Sequence, residues 1–169
     1  GISDRDQARR FQTAWRDDEF VIGAEYNQIQ TNFNPEVGFV RRRNMSQYAG
    51  EIAWNPRIES SDPIRNLVFE GTLEYFENGG TEKVETRTQS VGLGIDFQNS
   101  GLIEFSVTEN FDRLTRGFEI RPGILIPAGD HKYTRYEFSV RNDTSASLGG
   151  RIDADWGEFW NGDRKSIGF

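Results

Sequence analysis

His131 is the only histidine of the chain, so any Ser–His–Asp triad or histidine-based metal site would have to be built on it. It follows Gly129-Asp130, a setting that suits a surface turn better than a catalytic base. Paired carboxylates are the second chemical option. Glycoside hydrolysis needs two of them about 5 to 9.5 Å apart. Asp153 and Asp155 are two residues apart, which in a strand places both on one face at roughly 6.5 to 7 Å. Glu70 and Glu74 share a face in the same way. Nothing in their surroundings marks either pair as special, and faces rich in Glu and Arg are usually ion-pair networks.

Asp153, Asp155 and Glu158 offer oxygen ligands for calcium, but without the regular ligand spacing of a calcium loop. Asn34-Pro35-Glu36-Val37-Gly38 reads either as a binding loop on a rigid scaffold or as a structural turn. Gly129, Gly149-Gly150 and Gly162 fit no phosphate-binding fingerprint. No catalytic residue, metal ligand or cofactor is therefore assigned from sequence, the ligand-binding residues stay open, and the chain is expected not to be an enzyme.

The elements that would position these residues are strands. Alternation of period two recurs along the chain: Leu67, Phe69, Gly71, Leu73 and Tyr75 are interleaved with Val68, Glu70, Thr72 and Glu74. The same pattern appears at Tyr48, Gly50, Ile52 and Trp54, at Val91, Leu93, Ile95 and Phe97, and at Ile103, Phe105 and Val107. It returns at Tyr136, Phe138 and Val140, and at Leu148, Ile152, Ala154 and Trp156. These are amphipathic strands of about ten residues. Turn residues separate them at Glu77-Asn78-Gly79-Gly80, Gln98-Asn99-Ser100-Gly101, Pro127-Ala128-Gly129-Asp130, Arg141-Asn142-Asp143-Thr144 and Asn161-Gly162-Asp163. Neighbouring strands are expected to pair antiparallel, with longer connections near residues 31–44 and 55–63. Residues 7–16 fit a helix through Phe11 and Trp15, or a strand through Phe11, Thr13 and Trp15, with Asp17-Asp18 as a turn in the second case.

The 169 residues suit one domain. The absence of cysteine excludes disulfides, thiolate nucleophiles and Cys-ligated metal, and a net charge of −7 argues against nucleic acid as a partner. Arg41-Arg42-Arg43 is the only basic run. No apolar stretch is long enough for a spanning helix, so the chain is soluble or meets lipid as strands. The expected fold is all-β, an antiparallel meander of about eight to ten strands, barrel-like. Its apolar face turns either inward, as in a soluble barrel or sandwich, or outward to lipid. Strand length and the placing of Trp54, Tyr75, Phe97 and Trp156 near the ends of apolar runs favour the second.

Phe33-Asn34-Pro35-Glu36-Val37-Gly38-Phe39-Val40, followed by Arg41 to Arg43, resembles the C-terminal region of a family of large bacterial envelope proteins of unknown function. In that family a family-9-like carbohydrate-binding module precedes an outer-membrane barrel. Asn55-Pro56 with Ile64-Arg65, Phe118-Glu119-Ile120 through Ile126-Pro127-Ala128-Gly129-Asp130, and Gly157-Glu158-Phe159-Trp160-Asn161-Gly162-Asp163 fit in the same order. The resemblance implies residues 1–169 as one all-β unit of a longer barrel protein, in the bacterial outer membrane or envelope, with lipid or carbohydrate as partner. It implies no catalytic or ligand residues.

Overall fold

A computed structural model describes residues 6–34, 42–59, 63–143 and 149–169. Within them the chain is all-β. Nine strands form one sheet: β1 (Ala8–Arg16), β2 (Phe20–Ile29), β3 (Met45–Trp54), β4 (Ile64–Asn78), β5 (Val84–Phe97), β6 (Leu102–Leu114), β9 (Gly129–Arg141), β10 (Arg151–Phe159) and β11 (Gly162–Gly168). Two short strands, β7 (Phe118–Arg121) and β8 (Ile124–Ile126), make a separate hairpin between β6 and β9. Every pairing in the large sheet is antiparallel and joins sequence neighbours, apart from the step over the hairpin.

Of residues 7–16, Ala8–Arg16 form a strand, pairing residue for residue with Ile29 to Val21. Asp17 builds the turn as expected: its Oδ1 accepts from the backbone N–H of Glu19 (2.9 Å) and Phe20 (2.8 Å). Asn78 does the same for Gly80 and Thr81 between β4 and β5. Pro127-Ala128-Gly129-Asp130 is not the expected hairpin turn. β8 and β9 do not pair, and β9 crosses back to β6, with Leu114 opposite Gly129. Residues 35–38 of the expected binding loop, and Leu148, lie outside the described residues.

The sheet is open. β1 and β11 make no contact with each other, so the barrel-like expectation holds only as a meander and not as a closed barrel. A core is also nearly absent. Among the described residues only Met45, Ser46, Gly94, Gly101, Ile126 and Tyr133 are buried. The accessible surface is 12102 Å², whereas a soluble monomer of this mass exposes about 8500 Å².

Candidate functional site

Residues opposite one another across an antiparallel sheet share a face. The pairings therefore divide the nine strands into two surfaces. One carries Phe11 and Trp15 of β1, Phe20 and Ile22 of β2, Ile52 and Trp54 of β3, and Phe69 and Leu73 of β4. It continues through Val91 and Leu93, Phe105 and Val107, Tyr136 and Phe138, to Ile152, Trp156 and Ile167. Fourteen large apolar side chains on this face are exposed, with Val91 at 64% and Ile52 at 55%. A single apolar face this wide, with no second layer over it among the described residues, is far beyond the patches that soluble monomers tolerate.

The apolar surface is a belt with edges. Phe20, Trp54 and Phe69 stack in one row, with centroids 6.1 and 5.3 Å apart. Tyr26, Tyr48 and Tyr75 form a second row, at 5.0 and 4.7 Å. Tyr48 and Trp54 are six residues apart on β3, about 20 Å at strand rise, and Ile22, Ala24, Gly50, Ile52 and Leu73 lie between the rows. The belt ends in charge on β5, β6 and β9. There Glu109 binds Arg87 (2.9 Å) and Lys132 (2.5 Å), and Arg113 binds Asp130 (2.7 Å). Arg87 and Arg113 both lie over the Phe111 ring.

The belt also runs obliquely. Thr13, at its centre on β1, is connected through Ala24, Gly50, Leu73, Gln89 and Glu109 to Thr134 on β9. The apolar segment of β9 is centred on Phe138, four residues further along. Four residues over six strand steps is about 13 Å along for about 29 Å across, a slant of roughly 25°.

The opposite face is polar and carries two hollows, for which it is termed the concave face, while a further hollow lined by Gly50, Ile52, Gly71, Leu73 and Val91 opens on the apolar face. One hollow of about 400 Å³ is lined from six consecutive strands of the sheet by Glu70, Gly94, Glu104, Glu137, Asp153, Asp155 and Ser166, among others. Gly92 and Gly94 open it, since β5 contributes no side chain there. A second hollow is lined by Gln12, Glu25, Glu51 and Glu74. Ion pairs line this face: Asp155 with Arg135 and with Arg164 (3.0 Å), Asp153 with Arg151 (2.8 Å), and Glu25 with Arg10 (3.0 Å).

The sequence candidates fall on this frame as follows. Glu70 and Glu74 share the concave face but line different hollows, and Glu74 accepts from Gln47 at 2.6 Å. Asp153 and Asp155 lie in one hollow, each held by arginine. Glu158 follows Gly157, whose φ of 132° takes the strand out of regular alternation, and its carboxylate accepts from the Thr134 N–H at 3.1 Å. The three carboxylates are not brought together, and the described residues contain no cluster of three or more His, Asp or Glu able to hold a metal. His131 donates from Nε2 to the Pro127 carbonyl at 2.9 Å and packs against Trp160.

That histidine belongs to a cluster the sequence did not announce. Trp160 also stacks on Tyr133 and meets Phe118 edge-on, so the foot of the β7–β8 hairpin is fixed to the concave side at one end of the sheet. Tyr133 donates to Asp112 at 3.2 Å, and burial raises its phenol to about 12. The adjacent aromatics Phe159 and Trp160, which break the period of two, were the available signal.

No family model, curated protein or solved structure matches the chain. The surfaces themselves must carry the functional reading. Among the described residues no helix is long and apolar enough to cross a membrane, a criterion that does not bear on strands.

Proposed function

We propose that the sheet is part of the wall of a membrane-spanning β-barrel, its apolar face on lipid and its concave face toward water. The observation that carries this reading is the exposed apolar belt bounded by two aromatic rows. Outer-membrane barrels carry such a band, about 25 Å tall and flanked by aromatic girdles. The oblique course adds support, because strands tilted by about 35 to 45° make a horizontal lipid band cross the hydrogen-bond rows at an angle. The belt slants in that sense, by a smaller amount. The charged, water-accessible concave face suits a polar lumen.

On this reading the chain is non-catalytic, a structural or pore-forming part of an outer-membrane protein. The link to carbohydrate rests on the family resemblance alone. Size exclusion with light scattering and far-ultraviolet circular dichroism tests the proposal. A β-rich species that is monodisperse only with detergent or lipid is expected. A β-rich monomer in plain buffer would place the apolar face inside and favour a soluble module.

A further inference from the structure

Eight successive antiparallel pairings leave β1 and β11 running in the same direction. If the two edges met, the seam would be parallel. The same holds for a second copy added head to tail with the same orientation in the membrane, because its β1 would lie parallel to the first copy's β11. Antiparallel closure therefore requires an odd number of strands between the edges, so that the total is even as in single-chain outer-membrane barrels.

Both edges are ready to pair. Every residue of β1 is exposed, and the apolar belt reaches each edge, with Phe11 64% and Ile167 76% exposed, although Lys165 interrupts it on β11 opposite Trp156. Neither edge strand contains proline, a common device that blunts free edges. Within hydrocarbon an open row of N–H and C=O groups costs several kcal/mol per group, so both edges are stabilised by pairing on the lipid-facing reading. On the concave side Arg10 and Arg164 already pair inward, with Glu25 and Asp155, and Arg16 of β1 forms no ion pair among the described residues.

Resting on the lipid-facing reading, we infer that β1 and β11 are pairing edges for a further polypeptide segment contributing an odd number of antiparallel strands. Those strands would continue the apolar belt on the convex side and carry polar side chains on the concave side, with a carboxylate set against Arg16. The partner is extended amphipathic polypeptide, not a second copy of the chain.

Amide hydrogen exchange on the folded chain in dodecyl maltoside micelles, with mass from light scattering, tests this. The expected result is a monomer whose outward amides on β1 and β11 exchange fast while β4 to β6 are protected. A synthetic peptide of residues 20–29 is the strand probe. That sequence already pairs with the other side of β1 and sets Glu25 against Arg10. It should slow the outward β1 amides. A monomer with protected edges, or a disulfide within one chain of the Ala14→Cys/Ser166→Cys variant of this cysteine-free protein, would overturn the inference. A dimer with protected edges would do so too, as would failure of the peptide to protect β1. Brominated lipid in a parallel vesicle sample reads the convex face separately. Tryptophan quenching with protected edges removes the edge inference alone, and open edges without quenching remove the lipid-facing reading alone.

Discussion

Gly157 is the residue on which the end of β10 depends. Its φ is 132°, and a Cβ added there would collide with the Thr134 carbonyl oxygen of β9. Gly157→Ala is expected to destabilise the fold by about 1 to 3 kcal/mol, read as a shifted urea midpoint. Two titrating groups at the same end of the sheet, away from the belt, set a pH dependence. The Arg113 guanidinium beside Asp130 holds its carboxyl below 3.8, so its contribution is present above that value and lost as pH falls through the depressed pKa. Tyr133 behaves in the opposite sense. Burial raises its phenol from 10.0 to about 12, so stability present below pH 10 declines as pH rises toward 12. Unfolding free energy measured against pH should fall at both ends, and Tyr133→Phe should reduce the alkaline fall, leaving the smaller part that Tyr48, also raised by burial, contributes. The residue types here were legible in the sequence, but their partners were not. Nothing local in His131 or Asp130 reveals that Trp160 and Arg113 approach them from distant parts of the chain.

At the scale of elements, alternation is informative where one face is apolar and the other polar. Leu67 to Tyr75 could be read directly, and the observed pairing with Trp54 and Leu93 across β3 and β5 puts those residues on the expected face. The pattern fails where a register shift intervenes. β4 continues to Asn78 past a bulge between Phe76 and Glu77, making it 15 residues long instead of about ten. Residues 7–16 were ambiguous because Phe11 and Trp15 satisfy both periods, and only the partner strand decides. The short β7–β8 hairpin was hidden because its three and four residues carry too few alternations. The two faces should respond oppositely to charge. In lipid vesicles Leu93→Arg, at the centre of the belt, is expected to cost about 2 to 4 kcal/mol. Ser106→Arg, on the concave face one strand away, should cost far less, with equilibrium unfolding as the readout.

For the whole molecule, an all-β meander could be foreseen from periodicity and turn chemistry, while closure and the direction of the apolar face could not. Alternation is the same for an inward and an outward apolar face, and only the surroundings of those side chains distinguish them. Among the described residues no second layer covers them: fourteen large apolar residues lie exposed on one side of an open nine-stranded sheet. The most direct measurement of what they meet uses the absence of cysteine. Single cysteines carrying an environment-sensitive fluorophore, placed one at a time along residues 67–75 in lipid vesicles, should alternate. Odd positions should report hydrocarbon, and even positions should report water. Uniform emission along the strand, or water at Leu67, Phe69, Gly71 and Leu73, would contradict a lipid-facing sheet.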